Sequence, residues 1–128
     1  MAPLLSDENV IKGNWVATMG LAIPAMVAPV QWHKAFFAKD QPNNPDLSRL
    51  FALGMMSTCT SGLIAGASDD PKTKKRYLKQ AGVAWLAAAA LVGDNVRRGV
   101  QRKETCTAAA AGSAALGAFL LARGFKKD

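Results

Sequence analysis

Asp69-Asp70-Pro71-Lys72-Thr73-Lys74-Lys75-Arg76-Tyr77-Leu78-Lys79-Gln80 is the most charged run in the chain, and long charge-free segments lie on both sides of it. Gly13 to His33, Leu50 to Ser68 and Thr105 to Ala122 contain no Asp, Glu, Lys or Arg, and Ala81 to Gly93 is a shorter run of the same kind. A membrane helix needs about 20 mostly apolar residues. Three runs meet that length directly. The fourth meets it if Tyr77, Leu78 and Val96 are counted and Lys79 extends its ammonium outward. The charged run is then the polar connector between two apolar hairpins.

A water-soluble amphipathic helix shows a charged face at every turn. Leu50 to Ser68 offers only Ser57, Thr58, Thr60 and Ser61, too little to face water. The expected fold class is therefore all-α, an up-and-down bundle of four transmembrane helices in one domain, with short basic connectors. The expected spans are about 11–37, 47–67, 77–96 and 105–122. A soluble helical bundle is the alternative, since the third and fourth runs are rich in alanine.

The net charge of +7 comes from Lys and Arg that flank apolar runs, where lipid headgroups would meet them. Lys72, Lys75, Arg76 and Lys79 are the expected headgroup contacts. RNA-recognition, zinc-finger and basic-zipper patterns are absent, so no nucleic-acid partner is expected. The two ends and the middle connector hold nine Lys and Arg against seven in the other connectors. That leans towards both termini on the cytoplasmic, stromal or matrix side. The segment Met1 to Asn9 is acidic where a secretory signal is basic.

Local signals mark the helix ends. Ser6-Asp7-Glu8 suits a helix start, and Asn44-Pro45 and Asp70-Pro71 both read as cap followed by first helical residue. Trp15 and Trp32 stand roughly 26 Å apart along a helix, a spacing that suits aromatic anchors at two interfaces. Pro24 and Pro29 bend the first span. Gly62-Leu63-Ile64-Ala65-Gly66 is a GxxxG, and Gly112 and Gly117 sit in a similar run of small residues. In lipid, such positions let helix backbones approach closely, so Gly62, Gly66, Gly112 and Gly117 are expected at helix contacts.

Few residues carry chemistry. His33 is the single histidine, a candidate axial ligand for haem or chlorophyll or, more simply, an interfacial anchor beside Trp32 and Lys34. Asp94 is the acid nearest the apolar runs, with Arg97 and Arg98 three and four positions on, so an ion pair competes with a proton-relay role. The segment Met55 to Ser61 is either a polar path or helix packing. Cys59 and Cys106 differ in depth by roughly 10–14 Å, too far for a disulfide. No metal set, Walker loop, nucleophile elbow, HExxH or paired carboxylates is present. Light-harvesting proteins carry paired Glu and Arg inside membrane helices, and none occur here.

The expectation is a non-enzymatic accessory or assembly subunit of a larger membrane complex, respiratory or photosynthetic, in a thylakoid or mitochondrial inner membrane. Its partners would be membrane lipids and other membrane subunits. No cofactor is expected beyond a bound lipid or pigment. The alternative is a small membrane protein that binds or moves an apolar ligand (lipid, sterol, quinone or pigment) in the pocket formed by the Pro24 and Pro29 bend.

Overall fold

The computed structural model describes residues 5–127. The first four residues of the N-terminal segment read for a signal lie outside them. Among the described residues the chain forms five helices and no strand: α1 (Asp7–Val27), α2 (Pro29–Phe36), α3 (Pro45–Gly66), α4 (Pro71–Arg97) and α5 (Lys103–Phe125). Two of these, α1 and α5, are long and apolar enough to cross a membrane. The Ser and Thr of α3 and the basic first third of α4 dilute the apolar character of the other two long helices.

The helix starts follow from cap chemistry. Ser6 Oγ accepts from the Asn9 amide at 3.2 Å. Asn44 Oδ1 accepts from Asp46 and Leu47 at 3.0 and 3.2 Å. Asp70 Oδ1 accepts from the Lys72 amide at 3.1 Å, and the Thr73 hydroxyl donates to Oδ2 at 2.8 Å. The Thr73 hydroxyl, with the Lys72 amide, holds the Asp70 carboxyl below the usual aspartate range. Pro45 and Pro71 occupy first-turn positions, where the missing N–H has no helical partner to lose.

The single bent span expected over 11–37 is instead two helices. Pro24 is held inside α1, whereas the chain leaves helical geometry at Ala28 (φ −137°, ψ 60°) and restarts at Pro29. A residue before proline is pushed out of the α region by the ring. Side chains reach backbone carbonyls on either side of the break: Arg49 Nε reaches Met26 O at 3.3 Å, and Asn43 Nδ2 reaches Val30 O at 3.2 Å. The Trp15 indole, expected as an interfacial anchor, donates to Thr60 Oγ1 of α3 at 3.3 Å.

The long helices form two close pairs, α1 with α3 and α4 with α5. In the second pair the backbones nearly touch. A Cβ on Gly82 would lie 2.7 Å from the Leu121 nitrogen, and one on Gly117 would lie 2.9 Å from the Gly82 carbonyl oxygen. The pairs are joined at two ends by different means.

At the end where α1 begins and α5 finishes, Val10, Ile11, Leu78, Ala81 and Leu120 form a shared core. Above it lies an ion cluster: Asp7 meets Lys75 Nζ at 2.8 Å and Arg123 Nη2 at 2.6 Å. At the opposite end the core consists of Ala22, Ala25 and Ala52 and belongs to the α1–α3 pair. There the joint is made by backbone. Ala38 N–H donates to Val100 O at 3.0 Å, and Arg102 N–H donates to Phe36 O at 2.9 Å, stapling the end of α2 to the α4–α5 connector. Gly99, at φ 73°, makes that connector possible. It closes α4 in a Schellman pattern, with Gly99 N–H on Val96 O and Val100 N–H on Asn95 O.

Candidate functional site

Because the two pairs share a packed core at one end and only a strap at the other, a cleft opens between them. It has two lobes of about 490 Å³ each, which meet at Phe51, Met55, Trp85 and Ala88. Small-molecule sites commonly fall in the range of roughly 300–1,000 Å³.

The inner lobe lies between α1, α3 and α4 and is organised by Asn14, a buried asparagine in the first apolar run. Asn14 Oδ1 accepts from Trp85 Nε1 at 2.7 Å, and its Nδ2 donates to the Tyr77 hydroxyl at 3.2 Å. Tyr77 lies against Gly62 so closely that a Cβ there would enter its ring. The Trp85 indole N–H, the Asn14 amide and the Tyr77 oxygen are thus bonded in a chain. They fix α1 to α4 and leave the inner lobe apolar in effect.

The outer lobe lies under α2. Its wall is aromatic: the Trp32 ring centroid stands 5.2 Å from that of Phe36, 6.2 Å from Phe37 and 5.7 Å from Phe51. The Trp32 indole N–H is shielded and has no partner among the described residues. His33 stacks flat on Phe37 at 4.5 Å, with an interplanar angle of 8°. It is only 8% exposed, so the interfacial-anchor expectation is corrected: the break at Ala28 turns α2 inward and carries the imidazole into the cleft wall. Ser48, 6% exposed, lines the same lobe from α3. No charged side chain lines either lobe.

Other expected residues fall elsewhere. Asp94 stays on the surface at the end of α4, paired with Arg97 at 2.6 Å and Arg98 at 2.9 Å, and does not reach the cleft. Lys75 is corrected from a headgroup contact. Its side chain is 14% exposed, and its ammonium also donates to Arg123 O at 3.0 Å, besides the pair with Asp7. Lys79 places its ammonium over the Phe125 ring at 4.3 Å, a cation–π contact that holds it to α5. Lys72 and Arg76 are exposed.

Three of the four glycines lie at contacts: Gly62 on Tyr77, Gly66 on Ile11 and Gly117 on Gly82. Gly112 makes no such contact within the chain, because a Cβ there would meet nothing within 4 Å. Cys59 and Cys106 are both buried and free. The Met55 to Ser61 segment places Met55 in the cleft wall, while Thr58 and Ser61 return their hydroxyls to backbone carbonyls one turn back. Among the described residues no group of His, Cys, Asp and Glu is arranged to hold a metal ion.

Comparison with known protein families, with curated proteins and with solved structures gives no match. The functional reading therefore rests on the residues of this chain.

Proposed function

We propose that the chain is a four-span integral membrane bundle which holds a small apolar ligand in the cleft between its helix pairs, without catalysing a reaction. The single observation that carries this reading is the two-lobed cleft, walled by aromatic and aliphatic side chains and free of charge. The bilayer setting is supported by the outer surface. Val16, Leu53, Ile64 and Val83 are each more than half exposed, on three of the long helices, α1, α3 and α4. Water would penalise that surface, and hydrocarbon would not.

The test is binding of a fluorescent anthracene probe to the chain in lipid nanodiscs, read by energy transfer from Trp32 and Trp85 in a Trp15→Phe background. Saturable transfer is expected, and Ala88→Phe, which fills the junction of the lobes, should weaken it at least tenfold. Transfer that rises without saturating and ignores Ala88→Phe would refute the reading.

A second reading, an accessory subunit of a larger membrane complex, has its own observation. Gly13, Ala17 and Gly20 are exposed along α1, and a Cβ at either glycine would meet nothing within 4 Å. Small residues so placed leave room for another helix. Mild-detergent extraction followed by native gel and mass spectrometry tests it. Migration as a lone 13.5 kDa chain with lipid would remove it.

A further inference from the structure

We infer that the outer lobe recognises a neutral, flat ring bearing a carbonyl oxygen, the head of a quinone-type lipid, with His33 and Ser48 as its hydrogen-bonding groups. This rests on the ligand-holding reading above and specifies the ligand's head.

The first step is charge. An anionic head needs a cation or a helix N-terminus nearby, and a cationic head needs carboxylates. Neither lobe presents any Lys, Arg, Asp or Glu, and where the start of α3 reaches the outer lobe its amides are already taken, Asp46 and Leu47 by Asn44 Oδ1 and Ser48 by Asn44 O. Arg102 is close to the strap but donates its Nε to Phe37 O at 3.1 Å. Fatty acids, phospholipid heads and propionate-bearing tetrapyrroles would therefore lose their hydration without replacement. The occupant is neutral.

The second step is which polar atoms remain available. Asn95 Nδ2 and Gln101 Oε1 bond each other at 3.0 Å. Cys106 Sγ donates to Phe36 O at 3.1 Å. Asn44 Oδ1 caps α3. The Trp32 indole N–H on the same wall is a donor without a partner among the described residues, and beside it stand the side chains of His33 and Ser48. Both are more than nine-tenths buried, both line the lobe, and neither side chain hydrogen-bonds to a described residue. Buried polar groups are nearly always paired, so two idle ones facing a common cavity mark where a ligand's polar atoms belong. A neutral imidazole has one N–H donor and one bare acceptor nitrogen, and a hydroxyl can play either part. Together they match a carbonyl oxygen, and equally the hydroxyl of its reduced form.

The third step is shape. The imidazole lies flat on Phe37, and the Trp32 ring is tilted by 40° to Phe36 and by 33° to Phe51, so the polar atoms sit on an aromatic wall. Such a wall favours a planar ring through offset stacking. It gives less to the puckered rings of a sterol. The inner lobe, continuous with the outer at Trp85 and Ala88, is left to receive an alkyl tail.

The experiment compares two probes on the full chain in nanodiscs: a decyl-substituted benzoquinone and decylbenzene, which keeps ring and tail but lacks oxygen. Each is measured by displacement of the anthracene probe. The quinone should bind at least tenfold tighter than decylbenzene. His33→Phe, which retains a ring over Phe37, should abolish most of that difference while leaving decylbenzene unchanged. Ser48→Ala should reduce it severalfold and stands in if His33→Phe fails to fold. Equal binding of the two probes, or no effect of either variant, overturns the assignment of the head while the cleft reading survives. Displacement by cholesterol in preference to the quinone, or a stable haem complex with a Soret band lost in His33→Phe, overturns it as well. Absence of saturable binding by any probe removes both readings together.

Discussion

Asp7 and Arg123, separated by 116 positions, meet at 2.6 Å with side chains 12% and 17% exposed. The contact joins the first turn of α1 to the last turn of α5, and Lys75 brings the start of α4 to the same carboxylate. One acid thus gathers three helices at one end of the bundle. Removing it leaves two cations facing each other in a half-dry site. Breaking one partner of a buried pair costs about 3–5 kcal/mol, and the residual exposure here places Asp7→Asn towards the lower figure. The contrast is Glu8→Gln, one residue away, whose partner Lys12 is 59% exposed. Thermal melts in detergent should show a marked drop for Asp7→Asn and no measurable change for Glu8→Gln. Equal melts would mean the cluster is decorative.

Asn14 makes a second long-range joint, in the apolar interior. Asn14→Leu is nearly matched in volume, yet it removes the acceptor of Trp85 and the donor to Tyr77. Stranding buried polar groups costs about 1–3 kcal/mol each. The expected result is a destabilised bundle in which Trp85 emission shifts and Trp32 emission does not. Trp85→Phe in the Asn14→Leu background should cost less than in wild type, because its hydrogen-bond partner is already gone. Strict additivity of the two changes would argue that the 2.7 Å contact carries no energy.

The starts of α3 and α4 are legible because capping is local: Asn44-Pro45 and Asp70-Pro71 contain both the acceptor and the residue that needs no donor. The break at Ala28 is not. Pro24 and Pro29 offer the chain the same local choice, and only the second is flanked by contacts from elsewhere in the chain, from Arg49 to Met26 O and from Asn43 to Val30 O. The burial of His33 is illegible in the sequence for the same reason, since its orientation follows from the break. Gly62, Gly66 and Gly117 show why small-residue motifs read well, but Gly112 shows that a glycine cannot report which helix face has a neighbour. The polar centre at Asn14 carries a sequence signal of its own: an asparagine inside a charge-free run needs a partner once it is buried.

Topology separates the four-span proposal from a two-span chain in which only α1 and α5 cross. Single cysteines would be introduced at Leu5, Asp40, Asp69 and Lys127 in a background lacking Cys59 and Cys106. Four spans place Leu5, Asp69 and Lys127 on one side and Asp40 on the other. Two spans place Asp40 and Asp69 together, opposite both ends. Labelling of sealed vesicles with an impermeant maleimide distinguishes the patterns, and labelling of Leu5 and Lys127 from opposite faces would exclude both.

The glycines offer a graded test of helix packing within a single residue type. At Gly117 a side chain would strike the Gly82 carbonyl oxygen and the Leu86 backbone nitrogen, both at 2.9 Å. Backbone cannot swing aside as a side chain can, so Gly117→Leu must separate α4 from α5. At Gly66 the nearest atom is Ile11 Cγ2 at 3.0 Å, the branch of a side chain in a filled core. Overfilling there costs about 1–3 kcal/mol, with Gly117→Leu at or beyond the upper end. Gly112→Leu meets open space, and replacing a mid-helix glycine removes a backbone-entropy penalty of roughly 0.5–1 kcal/mol. The expected order of melting temperature is therefore Gly112→Leu at or above wild type, then Gly66→Leu, then Gly117→Leu. The Gly112 variant has a second readout. If α5 meets another subunit through that open glycine, co-purification falls while the melt of the isolated bundle does not. A Gly117→Leu protein as stable as wild type would show that α4 and α5 do not approach through their backbones, and the small-residue account of the bundle would fail with it.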